Sequence, residues 1–153
     1  MENPSWLFVI ATVIAVVGNV IVFRQLVSHI QRKEKNQENW DAEQELIHFI
    51  KRIAVVEAIP MILVGLGILQ VLNTEEMEIM LPLGLIILIM FFGIIRIFLL
   101  RQEVLTDPST SDHTKKIISI YSTIFICFVD VIPLISIVIF FLPRTLLESL
   151  FRF

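Results

Sequence analysis

Residues 53–72 read IAVVEAIPMILVGLGILQVL, twenty residues in which Glu57 is the one charged side chain. A bilayer core is crossed by about 20 predominantly apolar residues as helix, so this stretch reads as a membrane helix. Inside it, Val55 to Pro60 place a carboxylate three residues before a proline. An echo lies further on, where Phe128 to Pro133 read FVDVIP with Asp130 in the matching place. An ionised carboxylate costs about 3 kcal/mol at mid-bilayer, so an acid there points to a functional site.

Working outward, three more apolar runs appear: Trp6 to Phe23, Ile79 to Leu100 and Ile117 to Leu142. Of the 153 residues 56% are hydrophobic, more than a soluble domain of this size carries. Lipid offers the backbone no hydrogen-bond partner, so each run is expected to be a helix. The expected fold is all-α, an integral membrane four-helix protein in one membrane domain, 1–153. It consists of two tandem helical hairpins, about 4–72 and 74–142, with cytoplasmic helical extensions and an interfacial C-terminal segment, 143–153.

Charge placement sets an expected orientation. Arg24, Arg32, Lys33, Lys35, Lys51 and Arg52 lie between the first two runs, and Arg101, Lys115 and Lys116 between the last two. The middle link carries only Glu75, Glu76 and Glu78. By the positive-inside rule both basic links are cytoplasmic and both termini are outside, in a membrane of bacterial plasma-membrane type. No basic tail or aromatic-basic stripe points to nucleic acid. Cys127 is alone, which excludes an internal disulfide and a thiolate metal cage. The three histidines lack ligand spacing, so no metal is expected, nor is an organic cofactor. No Ser-His-Asp set or phosphate loop suggests an enzyme; the chain reads as a non-catalytic membrane subunit.

Asn3-Pro4-Ser5 is a helix start, with Trp6 at the outer interface. Ala11, Ala15 and Gly18 form a small-residue stripe, as do Ala54, Ala58 and Gly65, and the two stripes are expected to meet. Gln25 to Phe49 lacks Pro and Gly and reads as solvated helical extensions closing in a turn near 36–39, with Trp40 at the tip. Asn73 to Glu76 are expected to cap the third helix, Thr106 to Ser109 to form a turn, and Asp112 to cap the fourth helix. After Pro143, the residues Leu146, Leu147, Leu150 and Phe151 are expected to face lipid, with Arg144, Glu148 and Arg152 among the headgroups.

Two alignments suggest an internal repeat. Arg24-Gln25 lies over Arg101-Gln102 at a shift of 77, and Glu57-x-x-Pro60 over Asp130-x-x-Pro133 at a shift of 73. Each hairpin then has Arg-Gln where its first helix leaves the membrane and acid-x-x-Pro in its second. Counted from the outer side, the two acids fall within about one helical turn of the same depth. Each helix-breaking proline frees the carbonyl four residues back, that of Val56 or Val129, next to the acid. A freed carbonyl can accept a hydrogen bond from a protonated acid, or help ligate a cation. Sodium wants several oxygen ligands, whereas Ala58, Ile59, Val131 and Ile132 follow the acids, so the hydrogen ion is favoured as the carried ion.

With these residues in view, the chain resembles the proteolipid c subunit of the rotary F/V-type ATPases, in its duplicated-hairpin form. The likeness rests on four helices with outside termini, Arg-Gln at the cytoplasmic turn and Glu-Ala-Ile-Pro in helix two. It implies a homo-oligomeric ring in membrane lipid that carries H⁺, or less readily Na⁺, past a partner subunit. Glu57 and Asp130 would bind the ion, and Arg24, Gln25, Arg101 and Gln102 would form the cytoplasmic contact turns.

Other readings compete. In the transport reading, Asn19 and Arg96 support the two acids. In an assembly reading, Arg96 pairs with Glu57 or Asp130, and with Asn19 they form a structural polar cluster while the cytoplasmic hairpin docks a membrane or cytoplasmic partner. A proton-coupled small-solute carrier is a third option, since repeats with midplane acids suit transporters.

Overall fold

Each apolar run folds as one uninterrupted helix in the computed structural model, which describes residues 3–36, 41–74 and 77–142 together with 146, 147 and 149. The helices are α1 (Ser5–Lys35), α2 (Ala42–Leu72), α3 (Met80–Thr106) and α4 (Asp112–Phe141). All four are long and apolar enough to cross a bilayer, so this is an all-α integral membrane protein. At about 1.5 Å per residue a 31-residue helix is about 46 Å long, against a hydrocarbon core of about 30 Å. The excess of α1 and α2 is the charged stretch on either side of their connection. The helices therefore extend beyond the apolar layer at what we term the basic end.

Neither Pro60 nor Pro133 breaks its helix; α2 and α4 run straight through them. The expectation of helix-breaking prolines is corrected for a physical reason. A proline costs a helix one hydrogen bond, but in hydrocarbon a broken helix would strand many more, so the chain keeps helical geometry around it.

The central element is α1, which packs against all three other helices. α3 pairs with α4, α2 lies on α1 and grazes α4, and α2 and α3 make no contact among the described residues. Two apolar clusters fill the interior. One, toward the basic end, joins Val16, Phe23, Leu26, Ile53, Ile97, Phe125 and Val129; the other joins Phe8, Ala11, Ala15, Val64, Ile86, Ile132 and Phe140. Ring pairs Phe23–Phe125 and Phe8–Phe140, at 5.0 and 5.2 Å between centroids, cross the α1–α4 seam. Outside, Val55, Ile62, Leu88, Phe92, Leu99 and Leu134 are exposed, which is the surface a lipid-facing bundle presents.

Glycines set the close helix approaches. A Cβ on Gly18 would lie 2.3 Å from Val56 Cγ1, and one on Gly93 would lie 2.6 Å from Val16 Cγ1 and 2.7 Å from Val129 Cγ1. Gly67, not the expected stripe, faces α1, with the Phe8 ring against it. Ala54, Ala58 and Gly65 point outward, so the two small-residue stripes do not meet. Composition showed that α2 has a small-residue face; it did not show that Phe8 needs a groove at Gly67 instead.

The ends are tied by polar contacts. At the terminal end Asn3 Nδ2 and Ser5 Oγ both donate to the Glu78 carbonyl, at 2.8 and 3.0 Å. At the basic end Glu45 pairs with Lys33 and with His29, and the Tyr121 hydroxyl donates to the Ala42 carbonyl. Glu34 Oε1 accepts from Ser111 N at 3.1 Å and Thr114 Oγ1 at 3.0 Å, clasping α1 to the start of α4.

Several local expectations change. Asn73 and Thr74 donate back to the carbonyls of Leu69 and Gln70, so they close α2 and do not cap α3. Ser111, not Asp112, caps α4, its hydroxyl accepting from Thr114 N. Leu147 is buried in the second cluster and does not face lipid, whereas Leu146 is exposed. Trp40, Glu75, Glu76 and residues 143–145, 148 and 150–153 lie outside the described residues, and with them most of the expected interfacial segment and hairpin tip.

The Asp107 turn forms as the sequence suggests. Asp107 Oδ1 accepts from Ser109 Oγ at 2.7 Å and Ser109 N at 2.8 Å. These bonds from Ser109 hold the Asp107 carboxyl below its ordinary value. A depressed carboxylate stabilises above its unfolded value and stops doing so as pH falls through the folded one. Amide exchange at Ser109 should therefore be slow at neutral pH and accelerate below about pH 4. A rate that follows only the intrinsic pH dependence of exchange would remove this account.

Candidate functional site

Asn19 sits on the buried face of the central helix and is fully inaccessible. Its neighbour Gly18 lets α2 approach at Val56, and that approach brings the next residue, Glu57, to Asn19. Asn19 Nδ2 donates to Glu57 Oε1 at 2.5 Å. The remaining polar atoms of the pair, Asn19 Oδ1 and Glu57 Oε2, are buried and have no hydrogen-bond partner. A carboxylate only accepts, whereas a carboxylic acid also donates. A single proton on Glu57 supplies the donor that this pair of acceptors lacks. Proline at 60 removes the intrahelical partner of the Val56 carbonyl, so a further acceptor lies one residue away.

Asp130 occupies the comparable place on α4. Its neighbour Val129 is packed against the Gly93 notch together with Val16, and Pro133 frees the Val129 carbonyl. Asp130 is half-buried, and its Oδ1 is buried without a partner. Through their neighbours, the acids are referenced to α1 at Gly18–Asn19 and at Val16. Those references are about 3–4.5 Å apart along the axis of α1. No hydrogen bond joins them among the described residues; they are two positions and not one shared site.

Arg96 is not part of either. It is exposed and lines a groove of about 300 Å³ between α1 and α3 with Arg24, and no ion pair links it to Glu57 or Asp130. The expected support of the acids by Arg96 is therefore corrected. The residue spacing on α3 aims position 96 at the basic half of α1, whereas Glu57 is on the flank that α2 occupies.

The Arg-Gln pairs are not turns. Arg24-Gln25 lies inside α1, which continues to Lys35, and Arg101-Gln102 lies in α3, which continues to Thr106. Charged residues end the apolar run without ending the helix, since solvated Lys, Arg and Glu are good helix formers. Arg24 and Gln25 are exposed, and Gln25 Oε1 accepts from Arg52 at 3.2 Å. Arg101 is half-buried, its Nε without a partner.

One residue escaped the sequence reading. Thr12 is fully buried with Oγ1 unpartnered, and Ser5, Thr12 and Asn19 recur every seventh residue along the same face of α1. The signal was present as polar residues at helical spacing within an apolar run.

Comparison with protein-family models, curated proteins and solved structures finds no match to this chain. What fold and site define is a class: a four-helix integral membrane protein with an amide-bound carboxyl group inside its apolar layer.

Proposed function

We propose that this protein binds and releases a hydrogen ion at Glu57, with Asn19 as the fixed amide that holds the acid, and that this exchange serves ion translocation. The observation that carries the reading is the pair of buried acceptors, Asn19 Oδ1 and Glu57 Oε2, facing a shortage of one donor. Asp130 is proposed as the second carrier. Its neighbour Val129 packs within about one helical turn of the Gly18–Asn19 level on α1, its own freed carbonyl is beside it, and no guanidinium pairs with it.

The likeness to a duplicated c subunit draws support from the packing of α1 beside α3. Val16 lies opposite Gly93, an offset of 77 (16 to 93), which is the shift that aligns Arg24 with Arg101. On this reading the basic end is cytoplasmic, the hairpins are repeats, and copies associate in the membrane. Sodium is the rival ion, because Asn19 Oδ1 and Glu57 Oε2 belong to two hydrogen-bonded residues and the Val56 carbonyl is next in the chain, which offers three oxygens. A hard cation wants several more, whereas a proton needs only the pair.

Carbodiimide labelling of the full chain in liposomes tests this, since the reagent modifies protonated carboxyls in lipid. Labelling at Glu57 that fades as pH rises, and is indifferent to sodium at fixed pH, is the expected result. Protection by sodium moves the assignment to a sodium site. No labelling at any pH leaves the Asn19–Glu57 bond as a structural clamp between α1 and α2.

A further inference from the structure

Arg96 lies inside the apolar run of α3, five residues before Arg101. A guanidinium at that depth needs a counter-charge or a route to the headgroups. The acids inside the other apolar runs are engaged or placed elsewhere: Glu57, on α2, is bonded to Asn19, and Asp130 stands on α4 with no ion pair to Arg96. Arg96 instead shares a groove with Arg24, walled by Val27, Leu99, Leu100 and Val104. Glu103 lies in the same groove, seven residues along α3 toward the basic end, and forms no ion pair with either arginine.

Two other basic side chains at this end have partners. Lys33 holds Glu45, while Arg52 donates to Gln25 and stacks 5.1 Å over Phe49. The α1–α3 groove thus presents two guanidiniums with no carboxylate bound, above apolar walls, at the level where a helix passes from hydrocarbon to headgroups. A guanidinium fork matches the oxygens of a phosphate, the anionic group that phospholipid headgroups share. Basic pockets between membrane helices are suited to anionic headgroups for the same reason.

We propose that this groove binds an anionic phospholipid, its phosphate held between Arg24 and Arg96 against the apolar wall of Leu99 and Leu100. The site is separate from Glu57 and does not depend on the proton reading. Its effect is to neutralise Arg96 and to fasten α3 to α1 on the flank that α2 does not reach.

The full chain, purified in detergent, is titrated with phosphatidylglycerol or phosphatidylcholine and read by native mass spectrometry. Phosphatidylglycerol should bind with about tenfold preference, and Arg24→Gln with Arg96→Gln should abolish most of that preference. Arg96→Lys should keep part of it, since the charge remains without the fork. Glu103→Gln should raise it, by removing the one negative charge in the groove. Lys51→Gln with Arg52→Gln, on the other side of α1, should leave it unchanged. The proposal is overturned if the Arg24/Arg96 variant binds both lipids as the wild type does, or if only the Lys51/Arg52 variant loses the preference. It is overturned equally if Leu99→Cys cross-links efficiently between copies, since a second chain then covers the groove. Should the arginine variant fail to fold, the gain expected from Glu103→Gln decides alone.

Discussion

Asn19→Leu is expected to destabilise the bundle by about 2–3 kcal/mol at neutral pH, while Glu57→Gln costs less than about 1 kcal/mol. The two changes remove opposite halves of one hydrogen bond, and the asymmetry follows from what each leaves behind. Leucine at 19 strips Glu57 of its donor and leaves both carboxyl oxygens in an apolar site. Glutamine at 57 keeps an oxygen for Asn19 Nδ2 and adds an NH₂ that can serve Asn19 Oδ1, the acceptor now without a partner. It imitates the protonated acid. The Asn19→Leu penalty should therefore shrink as pH falls, because a neutral Glu57 is cheaper to leave in hydrocarbon than a charged one. Reversible unfolding in mixed micelles measures both variants across pH. Glu57→Gln should also abolish labelling at that position while preserving stability. A larger loss for Glu57→Gln than for Asn19→Leu would mean that the ionised carboxylate itself is what the fold requires, and would falsify the exchange of a proton there.

Gly93→Ala should cost about 1–3 kcal/mol, although alanine is the better helix former. The added methyl would lie within 2.7 Å of two β-branched side chains at once, Val16 on α1 and Val129 on α4. Neither valine has a flexible end to swing away, so α3 has to move off the bundle. Gly84, on the same helix, meets nothing within 4 Å, and Gly84→Ala should stabilise by about 0.5–1 kcal/mol through backbone entropy. Opposite signs from one substitution on one helix separate packing from propensity. Trimming the obstruction provides the converse check: adding Val16→Ala should recover part of the Gly93→Ala loss, and the energies of the pair should not be additive. If Gly93→Ala and Gly84→Ala shift stability alike, the three-helix notch is not a tight contact.

Much of the site was readable before the fold was known. Glu57 and Asp130 stood out because charge inside an apolar run is rare and costly, and the count of residues from the end opposite the basic links put them within about one turn of each other. Asn19 was visible as a polar amide inside such a run. That Asn19 meets Glu57 was not, because sequence does not say which side of α1 receives α2. The same gap made Arg96 look like a partner for the acids. Depth alone allowed that pairing, and only the angular position of residue 96 on α3 directs it to Arg24.

The chain by itself determined that there are four helices and roughly where each enters and leaves the apolar layer. Hydrocarbon cannot satisfy a bare peptide group, so apolar length alone dictates helix. It could not determine which face of each helix is inside. In water, hydropathy would mark that face, but lipid is as apolar as a protein core, so Val55 facing outward and Val56 facing Gly18 read the same. Shape made the choice in the folded protein: Phe8 against Gly67, Val56 against Gly18, and two valines in the notch of Gly93. Those contacts set the rotation of every helix, and with it the company each polar side chain keeps.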